Sequence, residues 1–305
     1  MRLHRTLAVG VVLALLAAAC GGGGGAGDSP TVRIGSDNFY ESRLMAEIYA
    51  QVLENAGYTV ERSFGLGSRQ ERAPAFEEGQ VDLVPEYVGS GLGFYDSAQI
   101  TGDGETNRDR LQAILADRAG GITVFGITPG EDTNAAVVRQ ETADEFGLSS
   151  MSDLAAVQDE LAWGLPPDCD ENPLCRGALE QYGINYPPAA RESLAACDVP
   201  IAEALEGGAI DFAWLCSTQP AIAQFGFVVL DDDLDTQPAE NIAPLVRNDF
   251  LEQVDDAAAF QALLDEASAQ MTTEDLTTLG VEVAVNQREV DEVATEWLTE
   301  KGLLG

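Results

Sequence analysis

Imidazole, the side chain on which most hydrolytic chemistry relies, is all but missing from this chain. The single histidine is His4, and it lies inside an N-terminal stretch with the pattern of a cleaved leader. Without imidazole neither a Ser-His-Asp nor a Cys-His nucleophile can be assembled, nor a zinc site built on histidine. Carboxylates are abundant, 52 Asp plus Glu against 16 Lys plus Arg, so a two-carboxylate glycosidase stays chemically open, but no spacing singles out such a pair. Cysteine is the other reactive type. Apart from Cys20 there are Cys169, Cys175, Cys197 and Cys216, and an even set in an exported chain reads as disulfides with three possible connectivities. Cys169 and Cys175 bracket Asp170-Glu171-Asn172-Pro173-Leu174, a loop short enough to close locally, which leaves Cys197 for Cys216. A four-thiolate metal site would need Cys-x-x-Cys spacing, which does not occur. What remains is non-covalent chemistry: a binder rather than an enzyme, with no metal or cofactor.

Arg2 and Arg5 precede an almost unbroken apolar run from Leu7 to Ala19. That run is too short to stay in a bilayer as a permanent helix and suits a secretory signal. It ends in Leu16-Ala17-Ala18-Ala19-Cys20, which resembles the lipobox of bacterial lipoproteins, where the cysteine is acylated and becomes the new N-terminus. The alternative is an ordinary secretory signal with an incidental cysteine. Gly21 to Gly25, Ala26 and Gly27 then form a leash with no packing value. The expected processing is a signal peptide over 1–19, lipidation at Cys20 and a tether over 20–30, leaving the protein exported and lipid-anchored on the outer face of the cytoplasmic membrane. Loss of Arg2 and Arg5 leaves 14 basic residues against the same 52 acidic ones, a net charge of −38. Such a field excludes nucleic acid, whose phosphates need clustered cations. It is also repelled by anionic headgroups, so the lipid and not electrostatics must hold the chain at the membrane.

The segment from residue 30 onward is long enough for two packed lobes. Val32-Arg33-Ile34-Gly35 predicts a strand, and Ser36-Asp37-Asn38 supplies helix-capping side chains. Leu44, Met45, Ile48, Tyr49, Val52 and Leu53 then recur on one helical face that ends at Gly57. Thr59 to Phe64 is a second strand, Gly65-Leu66-Gly67-Ser68 turns into another helix, and Val81 to Val84 is a third strand. This β-α-β-α-β order implies a parallel sheet with right-handed crossovers. The pattern returns with strands at Ala136–Val138, Leu161–Gly164 and Ile210–Trp214, and residues 204–212 echo residues 75–83 as helix end, glycine, strand. The expected fold is α/β, two similar lobes, each a mostly parallel sheet flanked by helices, with lobe I made of 31–131 and 223–305 and lobe II of 132–222. Ligands of such sheets sit beyond the strands' carboxyl ends, here at loops 36–40, 65–69, 85–90 and 128–134.

Several blocks carry a family likeness: Ile34 to Ser42, Gly65 to Ser68, Val81-Asp82-Leu83-Val84-Pro85-Glu86-Tyr87-Val88-Gly89-Ser90, Asp132 to Ala135, Pro238 to Arg247, and Glu292 to Leu303. Together they resemble the ProX/OpuC-type (OpuAC-like) substrate-binding proteins of quaternary-amine ABC importers, from Val32 to the C-terminus, with Pro-Glu-Tyr-x-Gly the most specific part. The resemblance implies a type II periplasmic-binding-protein-like fold and capture of glycine betaine, choline, carnitine or a similar compatible solute in the cleft between the lobes. It further implies delivery to the transmembrane subunits of an ABC permease, in osmoprotection. In this family Tyr87 falls on a cage tyrosine and Ser90 where threonine is common, while Asn134 and Glu240 stand where tyrosines are often found.

A quaternary ammonium donates no hydrogen bond, so its recognition rests on aromatic faces and nearby carboxylates. A ligand carboxylate instead seeks backbone N–H groups at helix starts, hydroxyls or an arginine. The expected anion half is therefore the loops ending in Asn38 and Ser68, helped by Ser42, Ser90 and Arg69, although Arg69 has an alternative as the bridge to Glu71 or Glu77. The expected cation half is Tyr87 with Phe39, Tyr40, Tyr95 or Trp214, supplemented by Asp132 or Glu240, and Asn134 and Asn241 complete the candidate set. Acids so placed repel a ligand carboxylate and suit a cationic or less methylated amine. The other functions weighed are a binder of another polar amine or amino-acid derivative, a solute-sensing module, and an enzyme on the same scaffold.

Overall fold

The computed structural model describes residues 30–305. The expected signal peptide, Cys20 and nearly all of the glycine tether lie outside the described residues. The strands of the first half are β1 (Val32–Gly35), β2 (Val60–Ser63), β3 (Leu83–Tyr87), β4 (Ile122–Val124) and β5 (Asn134–Val138). Those of the second half are β6 (Trp163–Leu165), β7 (Arg191–Ser193), β8 (Phe212–Cys216), β9 (Val228–Val229) and β10 (Ile242–Arg247). They form two five-stranded sheets of orders β2-β1-β3-β10-β4 and β7-β6-β8-β5-β9. In the first, β1 pairs in parallel with β2 and β3, and β10 runs antiparallel between β3 and β4. The second repeats the plan, with β6, β7 and β8 parallel and β5 antiparallel between β8 and β9. The echo between residues 75–83 and 204–212 has its cause here, since β3 and β8 are the central strands of their sheets. Strands buried on both faces need apolar runs rather than alternation, and Leu83, Val84, Phe212, Ala213 and Leu215 are all buried.

Helices α1 (Tyr40–Asn55), α2 (Arg69–Glu77) and α3 (Val88–Asp96) follow the first three strands. The six apolar residues that predicted α1 are all buried, and they share a core with Val293, Ala294, Trp297 and Leu298 of the C-terminal helix Val290–Glu300. Gly89, in the first turn of α3, permits a close backbone approach: a Cβ there would lie 2.5 Å from the Ala239 carbonyl oxygen and 2.6 Å from Pro238 Cβ.

The chain crosses between the sheets after β4 and again before β10, and the two crossings pair at Glu131 and Asn241. The second lobe extends beyond the boundary expected at residue 222. Strand β9 adds to β5 and Leu230 joins the core around Trp163 and Phe212, so the return crossing comes at residues 240–241. A two-residue Val-Val strand between a glycine-bearing turn and an aspartate-rich loop carries too little periodicity to be read from sequence.

Both expected disulfides are formed, Cys169–Cys175 with a separation of 6 residues and Cys197–Cys216 with 19. Closing the longer loop removes more unfolded-chain entropy. Replacing both cysteines of a pair by alanine should therefore cost about 3 kcal/mol for Cys197–Cys216 and about 2 kcal/mol for Cys169–Cys175. Urea unfolding of the two double variants checks the order, and a costlier loss at Cys169–Cys175 would contradict it. Among the described residues no helix is long and apolar enough to cross a membrane.

Candidate functional site

The carboxyl ends of β1, β2 and β3 open onto a cleft of about 760 Å³ between the lobes. Phe39 is the last residue before α1 and Tyr87 the last before α3. Their ring centroids lie 5.8 Å apart with planes tilted by 38°. Trp214 of β8 lines the cleft from the second lobe, held by Phe212 at 5.8 Å. Three aromatic residues therefore line one cavity.

Behind Tyr87 runs a buried polar chain that joins the lobes. The Tyr87 hydroxyl donates to Glu41 Oε1 at 2.7 Å. Thr218 Oγ1 lies 2.8 Å from Glu41 Oε2 and 2.8 Å from Asp132 Oδ1, and the Thr218 amide donates to the same Asp132 oxygen at 3.0 Å. A hydroxyl carries one proton, so only one of its two carboxylate contacts can be donated by Thr218; the other requires a proton on a carboxyl. Burial first, and then the Asp132 charge, push Glu41 well above the ordinary carboxylate range. Burial also raises Asp132, against the hydrogen bonds from Thr218. Glu41 is accordingly the neutral partner that donates to Thr218, which donates onward to Asp132.

A second cluster lies within the first lobe. Arg72 donates from Nε to Asp37 Oδ1 at 2.7 Å and from Nη2 to Glu86 Oε2 at 2.6 Å. Arg69 donates from Nε and Nη2 to Glu86 Oε1 at 3.0 and 2.8 Å, and from Nη2 to Ser90 Oγ at 2.6 Å. Burial alone would raise Glu86, but the Arg69 and Arg72 guanidiniums outweigh it and hold the carboxyl down at about 2. At the start of α2 the Ser68 amide donates to Glu71 Oε2 at 2.9 Å, a capping box in which the protein's own carboxylate takes the helix N-terminus.

Two acids stand outside both clusters in whole or in part. Among the described residues neither carboxylate oxygen of buried Glu240, nor Asp132 Oδ2, has a hydrogen-bond partner. Burial pushes Glu240 up to about 8; the Ser90 amide and the Arg69 charge pull the other way, though no donor is aligned for a hydrogen bond.

Residues 30–300 match the family described as the substrate binding domain of the ABC-type glycine betaine transport system. The chain belongs to this family. A glycine-betaine-binding protein of Pseudomonas aeruginosa is 30% identical over 285 residues, 90% of this chain and 89% of that protein. Glycine betaine-binding protein YehZ of Escherichia coli is 25% identical over 280 residues, 89% of this chain and 90% of that one. Among solved structures, one described as a glycine betaine/carnitine/choline ABC transporter superposes with a TM-score of 0.68 at 20% identity, covering 90% of this chain and 100% of that one. An ABC-transporter choline binding protein in complex with choline gives 0.62 at 14% identity, over 89% of each chain. The shared fold is the two-lobed type II periplasmic-binding-protein fold, and the family is one of substrate-binding transport proteins.

Of the candidate site residues, Asn38, Phe39, Ser68, Arg69, Tyr87, Ser90, Asp132, Asn134, Trp214 and Glu240 line the cleft. Ser42 and Asn241 do not. Ser42 is buried, and its Oγ accepts from the Asp37 amide at 3.0 Å, closing the turn into α1. Asn241 donates to the carbonyls of Thr128 and Gly130 at 3.0 and 3.3 Å and so pins the crossing strands. Arg69 bridges Glu86 rather than Glu71 or Glu77. Tyr40 is buried in the core, and Tyr95 turns away to Glu77, with Arg118 over its ring at 4.6 Å. Sequence reasoning missed Glu41, Arg72, Glu86 and Thr218. Glu86 stood in view within Pro-Glu-Tyr, and the Arg69-x-x-Arg72 spacing, which puts both guanidiniums on one helix face, was the available signal for its partners.

Proposed function

We propose that this protein is an extracytoplasmic lipoprotein that captures a small amine-type compatible solute, of the betaine, choline or carnitine kind, and hands it to the transmembrane subunits of an ABC permease. One observation carries the reading: Phe39 and Tyr87 of one lobe and Trp214 of the other line a single cavity with buried, unpartnered carboxylate oxygens beside them. Aromatic faces attract an ammonium group that cannot hydrogen-bond, and a desolvated cavity strengthens that attraction. Contacts to both lobes shift the protein toward the closed form by a hinge motion at the paired crossings. The names of the Pseudomonas and Escherichia relatives support the solute class. The lipid anchor rests on the Leu16–Cys20 pattern, and its retention at the membrane is tested by replacing Cys20 with serine and following release into the medium.

Thermal-shift screening of the purified protein against betaine, choline, carnitine, ectoine and amino acids tests the solute class. Stabilisation by at least one amine is expected, and a shift confined to sugars or peptides would overturn the assignment. Tyr87→Ala is expected to weaken capture of the best amine by at least about 1 kcal/mol. Titration calorimetry on that variant checks it, and an unchanged affinity removes Tyr87 from the site.

A further inference from the structure

We propose that the solute of this cleft is a net cation with no carboxylate of its own, carrying an O–H or N–H donor that completes Asp132 and Glu240. This inference rests on the amine-binding reading and narrows it.

Acceptors in the cleft outnumber the donors offered to them. Asp132 is 4% exposed and Glu240 2%, yet Asp132 Oδ2 and both Glu240 oxygens lack a partner among the described residues. Both residues line the cavity, one on each crossing strand, where the Asp132 amide donates to the Glu240 carbonyl at 3.1 Å. Buried carboxylate oxygens without donors are costly and are ordinarily satisfied by a bound group. A solute hydroxyl or N–H supplies the missing donor, and its positive charge favours the ionised form of both acids.

The capping amide of Ser68 and both guanidiniums, which could hold a solute carboxylate, are already engaged. The Ser68 amide at the N-terminus of α2 is taken by Glu71. Arg72 is divided between Asp37 and Glu86, and Arg69 is held by Glu86 and Ser90. Among the described residues lining the cleft, Arg69 is the one basic side chain against seven acidic ones. Within that cluster two guanidiniums cancel Asp37 and Glu86, and neither is left to face Asp132 or Glu240. Glu240, pushed up to about 8 by burial, keeps its proton in the resting protein at neutral pH, and a cation bound beside it draws that proton off. A carboxylate brought into the same cavity meets the Asp132 charge in a low dielectric and opposes the ionisation of Glu240.

Choline and glycine betaine carry the same trimethylammonium head and differ in a hydroxymethyl against a carboxylate, so they are the probes. Titration calorimetry on the purified protein at physiological ionic strength is expected to show choline binding at least about tenfold tighter than glycine betaine, a difference charge alone can supply. Tetramethylammonium, which has no donor, should bind more weakly than choline. Glu240→Gln and Asp132→Asn should each shrink the choline-to-betaine ratio; if Asp132→Asn fails to fold, by circular dichroism, Glu240→Gln decides. Betaine binding equally or more tightly, or a ratio unchanged in the folded variants, overturns this inference while leaving the amine reading intact. Absence of binding by every amine overturns both.

Discussion

Replacing Arg72 by methionine is expected to lower the unfolding free energy by about 3–5 kcal/mol, because it strands the buried Asp37 carboxylate and leaves Glu86 with Arg69 alone. The Arg72 side chain is 1% exposed and sits between Asp37 at 6% and Glu86 at 4%. Methionine fills nearly the same volume, so the loss reports on charge rather than on a cavity. Arg288 provides the comparison, since its pairs with Glu282 and Glu296 lie at the surface, and Arg288→Met should cost far less than Arg72→Met. Urea unfolding at neutral pH measures both; a loss at Arg72 no greater than at Arg288 would refute the argument. The network also sets an acid limit. Glu86 is held at about 2 against an ordinary value of 4.5, so its contribution is present above 4.5 and lost as the pH falls through 2. The Arg72→Met protein should lack much of that slope.

Glu240→Gln is expected to act in the opposite direction and to stabilise the solute-free protein at pH 8 by a few kcal/mol, on the order of 2–4. Burial raises the Glu240 carboxyl from 4.5 to about 8. Between those values the native protein keeps a proton that the unfolded chain has released, so stability falls as the pH rises through this window. Glutamine never ionises and the variant is spared that loss. Unfolding measured at pH 5 and pH 8 should show the gap between variant and wild type widening with pH, and parallel curves would contradict it. An acid that weakens the resting protein in this way is typical of a site kept for binding.

The repeated strand–helix order, the α1 face and the Cys169–Cys175 closure were legible because each is local: apolar spacing and loop length decide them within a few residues. The loops at the carboxyl ends of the first three strands were placed for the same reason. The chain Tyr87–Glu41–Thr218–Asp132 was not legible, because it joins residues up to 177 positions apart, and an acid early in an amphipathic helix looks like part of its solvated face. The Ser68 loop has the look of an anion seat, yet Ser68-Arg69-Gln70-Glu71 is a capping box by spacing alone. That pattern already assigns the vacant amide to Glu71. The Ser42 hydroxyl looks free to meet a solute, but the Asp37 amide, buried at the same turn, claims it first.

The Cys197–Cys216 bond joins the loop at Ala195–Asp198, which lines the cleft, to the last residue of β8. One jaw of the trap is thereby riveted. The loop is tied to its sheet whether or not a solute is present, so this part of the wall moves with the second lobe as one piece.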